Sequence, residues 1–468
     1  MKIAQLTSRL VTSIALLSAL SSVTTALPVP VPDAAAEIVT TAFVTAYVYA
    51  DGTPVSSTAA DVDSIEATSS AATSSSSSVI RGINVGGWLI LEEWLGDSDL
   101  WALAPNATDE WTFSEALGDG ALAALQSHWS SWFTEDNVVA LASYGLNTLR
   151  IPIGYWAFLD DDSTPYVQGA ADYLDQAIGW AQSNGMKVWV DLHGVPGSQN
   201  GYDNSGHSGS AEWQVGTDNL QSTISVLNTM AAKYSGSTYA DTVIALELVN
   251  EPITWGNSSV DTTKQFYLDA YNSVIGSLTD NQDLQIIMHD GFTDYSTWES
   301  LPTDLNVSGD RGAIGLDTHV YHVFSDAVSA AENGQQDITT MDADEHLAAV
   351  CTKGEALATA NSYLPIYVGE WSAAIDVCFN SDGSSFAGTS CDSDGCSCVS
   401  DDQSTWSTDV SSFVRKFVEA QMDAYESNAA GWFFWTFQGP GNWDFTNGVE
   451  QGWIPQPLDN REYSSQCS

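Results

Sequence analysis

The chain has 468 residues, of which 44% are hydrophobic, enough for one large globular domain with an appended segment. It carries 60 acidic residues against 12 basic ones, and its formal net charge at pH 7 is −48. So negative a surface argues against nucleic acid and anionic membrane lipid as partners, because both repel it. The charge fits a neutral substrate, and it equally fits the simple need of an exported protein to stay soluble.

Residues 1–26 have the organisation of an export signal. Lys2 and Arg9 supply the positive start, residues 10–20 form a short apolar run, and residues 24–26 are small, as a cleavage site requires. The apolar run is shorter than the roughly 18 residues that a membrane span needs, and no longer one follows. We therefore expect a secreted protein, extracellular or in the cell wall, that contacts no membrane.

Residues 27–78 are predicted to be disordered. The first part, to residue 55, is proline-containing and irregular, as in a pro-segment, and the second is a linker of Ser, Ala, Thr and acidic residues. The linker part does not offer enough apolar surface to fold. Attachment to a cell wall and a mere pro-segment both remain open as roles. The folded domain is predicted to cover residues 79–468.

Six cysteines, an even number in an exported chain, predict disulfide bonds. The spacing within 391–398 matches no zinc pattern and no nearby histidine completes one, so we predict no metal site. Three glycosylation sequons, at Asn106, Asn257 and Asn306, are compatible with export. The cysteines are Cys351, Cys378, Cys391, Cys396, Cys398 and Cys467.

Eight short apolar runs alternate with helix-length segments, a pattern typical of a parallel sheet that is covered on both faces. The runs are 79–84, 148–153, 187–193, 243–251, 284–290, 314–319, 365–371 and 431–435. Nearly all of them end in a polar or aromatic residue: Arg150, His193, Glu251, Asp290, His319, Glu370 and Trp435. A doubly wound sheet would collect such residues mainly at one switch point, whereas a barrel collects them at every strand end. We therefore predict an α/β fold, a (β/α)8 TIM barrel, after the disordered N-terminal extension.

Two glutamates stand out among the 60 acidic residues by their position. Glu251 ends the fourth run and Glu370 ends the seventh, and strand ends of a barrel converge on one pocket. Glycosidic bonds are usually cleaved by two such carboxyl groups. Glu247 shares a face with Glu251 but lies deeper, so we expect it to be paired inside the barrel. His289 and Asp290, at the end of the fifth run, could belong to the site or support it.

Six motifs in order carry a resemblance to the fungal exo-β-1,3-glucanases of glycoside hydrolase family 5, from about residue 80 to residue 467. They are RGINVGGW (81–88), LRIPIGYW (149–156), DLHGVPGSQNG (191–201), NEP (250–252), HVY (319–321) and GEWS (369–372). The resemblance implies hydrolysis of β-glucan from its non-reducing end with release of glucose. Chemistry with two carboxyl groups needs no metal or organic cofactor, and we expect a monomer.

The resemblance further implies roles at the reacting bond. Glu251 would be the acid/base and Glu370 the nucleophile of a retaining double displacement, with the carboxyl groups about 5 Å apart. Asn250 would bind the sugar 2-hydroxyl. Arg150 and Tyr321 would orient the nucleophile and keep it ionised.

Around the sugars, the resemblance implies that His193 and His319 hold hydroxyl groups or tune the acid/base. Trp435 would be the floor on which the terminal glucose stacks. Glu92 would hold the non-reducing end of that sugar. For the cysteines, the family pattern pairs Cys351 with Cys467 and Cys378 with Cys398, which leaves Cys391 for Cys396.

At the entrance, Tyr202 and Phe324 match an aromatic pair that grips the next glucose. Tyr202 stands where the family usually has phenylalanine, His322 where it often has glutamine, and Glu93-Trp94 where it often has proline and tyrosine. These departures put the outer subsites in doubt and leave a β-1,6-glucanase or a transglucosylase on the same scaffold as alternatives. A non-catalytic wall-binding protein is an alternative of another class.

Overall fold

The computed structural model describes residues 79–307, 313–324 and 341–467. The predicted export signal, 1–26, and the predicted linker, 27–78, lie outside these residues. Within them, eight parallel strands close into a barrel. The barrel strands are β1 Ile80–Asn84, β2 Thr148–Gly154, β3 Lys187–Gly194, β4 Val243–Glu247, β5 Gln285–His289, β6 Ile314–Val320, β7 Ile366–Trp371 and β11 Gly431–Phe434. Around the ring they follow the order β1-β11-β7-β6-β5-β4-β3-β2. The predicted (β/α)8 barrel is confirmed, and the doubly wound alternative is excluded because β1 pairs with both β2 and β11.

Helices lie between the barrel strands, and one of them illustrates why such a segment is helical. The helix 170–183 buries Leu174, Ala177, Ile178 and Ala181, a spacing of three and four residues that presents one apolar stripe to the sheet. The helices are α1 Ser98–Trp101, α2 Glu110–Leu117, α3 Ala121–Trp132, α4 Glu135–Ser143, α5 Ala170–Ser183, α6 Asp218–Tyr234, α7 Val260–Ile275, α8 Leu301–Asp304, α9 Ala343–Asn361, α10 Thr408–Asn428 and α11 Phe445–Gln451.

The barrel interior is filled by large side chains below the mouth. Trp189, Ile287, Tyr367 and Phe433 form a buried cluster there, with the aromatic rings meeting edge to face. A Cβ atom at Gly82 would collide with the ring of Phe433. The glycine of the first motif therefore makes room for this layer, which forms the base on which the strand-end residues stand.

A small antiparallel sheet follows β7, in the order β10-β8-β9. Its strands are β8 Val377–Phe379, β9 Ser385–Ala387 and β10 Ser397–Cys398. The Cys378–Cys398 disulfide joins β8 to β10, Cys391–Cys396 closes a short loop beside them, and Cys351–Cys467 ties α9 to the C-terminal segment. All three pairings implied by the family resemblance are confirmed.

Two surface features complete the fold. Among the described residues, no helix is both long and apolar enough to cross a membrane. The asparagines of the three sequons, Asn106, Asn257 and Asn306, are all exposed.

Candidate active site

Two buried glutamates meet at the carboxyl end of the barrel. Glu370 is the penultimate residue of β7, and Glu251 lies four residues beyond the end of β4. The Nδ1 atom of His319 lies 2.7 Å from Oε1 of Glu251 and 3.4 Å from Oε2 of Glu370. The two carboxyl oxygens are therefore at most about 6 Å apart, close to the separation typical of retaining glycosidases.

Glu370 is held by two donors. Arg150 donates from Nη1 to Oε1 of Glu370 at 2.8 Å, and the Tyr321 hydroxyl donates to Oε2 at 2.6 Å. Burial raises the pKa of Glu370, and the positive charges of His319 and Arg150 offset part of that effect. A fixed carboxylate with both oxygens engaged from the sides keeps one orientation toward the pocket.

The pKa of Glu251 is shifted in the opposite direction from that of Glu370. Burial acts to raise its pKa, but the hydrogen bond and charge of His319, with smaller effects of His193 and Asn204, lower it overall. Asn204 donates from Nδ2 to Oε2 of Glu251 at 2.9 Å. The backbone of Glu251 has φ of 45°, a left-handed conformation that costs energy in a non-glycine residue and clusters at functional sites.

His319 couples the two glutamates. Burial acts to lower its pKa, but Glu370, Asp317 and Glu251 surround the ring and raise the pKa well above 6.5. Two protonation states of the His319–Glu251 pair carry the same total number of protons. In one, His319 is charged and Glu251 is ionised; in the other, His319 is neutral and Glu251 is protonated. Transfer along the 2.7 Å contact interconverts the two forms, so the pair can deliver a proton from Glu251 although that carboxyl is ionised at rest.

Arg150 is the centre of the charge network under the pocket. It is the third residue of β2, not the last as the run pattern suggested, and its long side chain reaches the mouth. Its Nε donates to Glu247 at 3.0 Å, and Nη1 donates to Asn84 at 2.9 Å. The predicted pairing of Glu247 inside the barrel is confirmed. A buried arginine among several carboxylates compensates charges that would otherwise be very costly.

Asn250 and His193 lie next to Glu251. Asn250 accepts a hydrogen bond at Oδ1 from Arg150 at 2.9 Å, so its Nδ2 group faces the pocket, 3.3 Å from Nε2 of His193. The other ring nitrogen of His193 lies 2.5 Å from Asp191. The His193 ring is nearly parallel to that of Trp435, with ring centroids 5.7 Å apart. The predicted site residues at or just after the ends of β3, β4 and β11 are therefore brought together at the mouth of the barrel.

Glu92 lies on the β1 side of the pocket and is only 5% exposed. Its Oε2 accepts a hydrogen bond from the Trp94 indole at 3.0 Å, while its buried Oε1 has no hydrogen-bond partner among the described protein groups. Burial, with the charges of Asp203 and Glu370, raises the pKa of Glu92 well above its usual range. The free oxygen is a position at which a ligand hydroxyl could bind.

The entrance residues stand on the β3 and β6 sides of the rim. Tyr202 is 47% exposed and Phe324 is 49% exposed. The Phe324 ring lies 6.3 Å from that of Trp443, which also contacts Trp94. His322 is different: it is buried against Phe417 of α10, and burial lowers its pKa to about 3. Of the departures from the family pattern, His322 is therefore packed against α10, whereas Tyr202 is exposed at the rim.

One group of side chains has the composition of a metal site. Oxygen and nitrogen atoms of Glu251, His289 and His319 lie within 4.8 Å of one another. However, Nδ1 of His289 accepts a hydrogen bond from the Gly291 amide at 3.0 Å, so Nε2 of this neutral ring carries its proton. His289 cannot act as a ligand without breaking that bond. Its ring lies against that of His319, with centroids 4.5 Å apart, and Asp290 holds the β5 loop by accepting from the Phe292 amide at 2.8 Å.

Several site residues were not found from the sequence. Asn84 and Asp191 lie within recognised motifs, and membership of those motifs is the signal that the sequence offered. In the structure both residues are buried next to Arg150. Asp317 accepts from the Gly369 amide at 2.7 Å, which requires a glycine in the GEWS motif because a Cβ would overlap this carboxylate. Asn204 lies on a loop, where no periodic pattern could identify it.

A closed parallel barrel with two buried glutamates at its strand ends defines a class, the (β/α)8 glycoside hydrolases. Residues 107–440 match the cellulase family, glycosyl hydrolase family 5. The chain is 40% identical over 402 residues to glucan 1,3-beta-glucosidase 1 of Schizosaccharomyces pombe, covering 83% of this chain and 90% of that protein. It is 39% identical over 408 residues to glucan 1,3-beta-glucosidase of Blumeria graminis, covering 83% and 89%. The chain belongs to glycoside hydrolase family 5 and is a glycoside hydrolase.

The fold is also similar to that of solved structures with little sequence identity. The rutinosidase from Aspergillus niger superposes with a TM-score of 0.62 at 20% identity, covering 81% of this chain and 98% of that one. This similarity supports the architecture of the barrel.

Proposed function

We propose that the protein is a secreted, retaining exo-β-1,3-glucanase that releases glucose from the non-reducing ends of β-glucan. The observation that carries the proposal is the contact of one histidine nitrogen with both Glu251 and Glu370. It limits one pair of their carboxyl oxygens to a separation of at most about 6 Å, which favours the closer spacing of retaining enzymes over the wider spacing of inverting ones. The β-1,3 preference rests on the relatives, which are named glucan 1,3-beta-glucosidases.

In the first step, Glu370 attacks the anomeric carbon and the bond to the leaving oxygen breaks. Glu251 gives that oxygen its proton, which His319 shares across 2.7 Å. In the second step, water attacks the glucosyl-enzyme, Glu251 takes the water proton, and Glu370 leaves. Arg150 and Tyr321 stabilise the charge that returns to Glu370.

The remaining predicted residues bind sugar. Trp435 forms the floor for the terminal glucose, with its ring lying nearly parallel to that of His193. Asn250 binds the 2-hydroxyl through Nδ2, and the free oxygen of Glu92 holds the non-reducing end. Tyr202 and Phe324 grip the next glucose, and their exposure at the rim suits that role.

Product analysis on laminarin tests the proposal, with the wild type compared with Glu370→Gln at early times. We expect glucose as the sole early product, and none with the variant. A ladder of oligosaccharides would contradict exo action, and products longer than the substrate would indicate the transglucosylase. Glucose from a β-1,6-glucan with none from laminarin would contradict the linkage.

A further inference from the structure

Trp255 is a large aromatic residue at the mouth of the barrel. It lies four residues after Glu251, on the same β4 loop, and it is 42% exposed. A single exposed aromatic residue is ordinary on protein surfaces. Here a second aromatic residue joins it: the Phe292 ring, on the β5 loop, lies 6.0 Å from the Trp255 ring.

The two loops that carry this pair are held in place. Within the β4 loop, the Ile253 amide donates to the Gln199 carbonyl at 3.2 Å, and the Thr254 hydroxyl donates to the Gly291 carbonyl at 3.2 Å. Phe292 has φ of 59°, which is rare and costly in an aromatic residue. Asp290 fixes this conformation by accepting from its amide. Backbone strain such as this, whose structural result is to place an aromatic ring at the rim, is typical of a functional position.

The pair lies on the side of the pocket where a leaving group would extend. In the ring of eight strands, β4 stands directly opposite β11, whose end carries Trp435. Glu251 therefore faces the floor of the terminal sugar across the mouth. Because Glu251 protonates the leaving oxygen, the sugars beyond the cleaved bond pass on its side.

Successive ring contacts lead outward from the proton-donating pair to Trp255. His319 lies 4.5 Å from His289, His289 lies 5.3 Å from Phe292, and Phe292 lies 6.0 Å from Trp255, all between ring centroids. Trp255 is the exposed end of this series. It is thus further from the reacting bond than Glu251 is, on the same flank.

We propose that Trp255, supported by Phe292, forms a binding subsite for the second glucosyl unit on the leaving-group side of the cleaved bond. An indole presents a flat apolar face that matches the C–H face of a glucose ring. The site is distinct from the Tyr202 and Phe324 pair, which contacts the first leaving-group unit. This inference rests on the proposed function and adds a preference for longer chains to it.

The test compares two substrates that differ by this one unit. Laminaribiose fills only the positions on either side of the cleaved bond, whereas laminaritriose reaches Trp255. We expect the wild type to show the higher kcat/KM on laminaritriose. In Trp255→Ala the ratio of the triose value to the biose value should fall by about tenfold, while Trp255→Phe should keep most of it.

Two controls accompany this comparison. Val139→Ala removes another exposed apolar side chain, from the outer helix α4, and should leave the ratio as in the wild type. Asn257→Gln removes the sequon two residues from Trp255, so that a glycan at that position cannot be the cause.

The outcomes separate this inference from the proposed function. A wild type that prefers the biose, or an unchanged ratio in Trp255→Ala, would overturn the subsite. Equal losses on both substrates would also overturn it, because they would show that Trp255 only supports the loop of Glu251. A wild type that cleaves neither substrate would instead refute the proposed β-1,3-glucanase.

Discussion

The proton that His319 shares with Glu251 reconciles the charge balance of the site with the proposed chemistry. Glu370, the proposed nucleophile, has a raised pKa, and Glu251, the proposed acid, has a lowered one. Those directions are the reverse of what the roles require if each residue acts alone. The direction for Glu251 agrees with its role when His319 and Glu251 are taken as one acid, because the lowering of the Glu251 pKa comes from the proton on His319. The raised pKa of Glu370 comes from its burial, and the charges of His319 and Arg150 counteract it.

His319→Gln should therefore change the pH profile of kcat/KM. The alkaline limb of the wild type reports loss of the shared proton and should lie above the ordinary histidine value of 6.5, because the pKa of His319 is raised. In the variant the proton must rest on a carboxyl group, whose ordinary pKa is about two units lower. The alkaline limb should move to lower pH. An unmoved limb would show that His319 does not share the proton.

Glu251→Ala tests the acid role through the leaving group. A good leaving group, such as dinitrophenolate, departs without a proton, so formation of the glucosyl-enzyme should survive on an activated aryl glucoside. On laminaribiose the loss in kcat/KM should be at least about 100-fold. Azide should then rescue turnover of the aryl substrate and give a β-glucosyl azide. An α-configured azide would refute a retaining mechanism.

At the scale of elements, the pocket is built from loops that the barrel places opposite one another. β4 carries the proposed acid and β11 the sugar floor, on opposite sides of the ring. The C-terminal elements support β11, which carries the proposed sugar floor. α10 packs behind β11, α9 packs behind β7, and the Cys351–Cys467 disulfide joins α9 to the C-terminal segment.

The disulfides should differ in their contribution to stability. Cys351–Cys467 closes a separation of 116 residues, and Cys391–Cys396 closes one of 5. Chain entropy predicts losses of about 5 and about 2 kcal/mol when each pair is replaced by serine. Urea unfolding of the two double variants measures this. Equal losses would mean that native contacts, rather than loop closure, decide the effect.

At the scale of the whole molecule, negative charge and buried carboxyl groups both favour an acidic medium. Burial raises the pKa of Glu110 to about 8 and that of Asp290 to about 6. Both groups keep protons in the folded chain at pH values where the unfolded chain has lost them. For these two groups the folded state binds more protons, so their contribution to stability declines as pH rises from about 4.5 to about 8. Buried His322, whose pKa is lowered to about 3, acts in the opposite direction below its ordinary value of about 6.5, so the two carboxyl groups dominate at the upper end of this range.

The melting temperature should accordingly be higher at pH 5 than at pH 8, by about 5 °C or more. Repulsion within a chain of net charge −48 acts in the same direction, but salt screens it. Scanning calorimetry in about 1 M NaCl separates the two causes, since salt does not reach buried Glu110. A pH dependence that vanishes in salt would assign the whole effect to surface repulsion.

The sequence by itself determined the barrel and the presence of disulfides, because apolar period and cysteine number are local properties that one chain displays. The pairing of the cysteines and the roles of the strand-end residues followed from the resemblance to a family. The sequence could not place Arg150, whose strand position mattered less than the reach of its side chain. Nor could it separate His322, which is packed behind the rim, from Tyr202, which is exposed on it. Both belong to loops, where no period distinguishes an inward from an outward side chain.

Only the tertiary structure decided which groups lie close enough to share a proton and which aromatic residues lie together at the rim. Those relations join residues far apart in the chain, such as His319 with Glu251 and Phe292 with Trp255. A distance of a few ångströms between two loops depends on the closure of the whole barrel. The physical reason is that pKa and stacking depend on burial and contact, which arise only when all eight strands are in place.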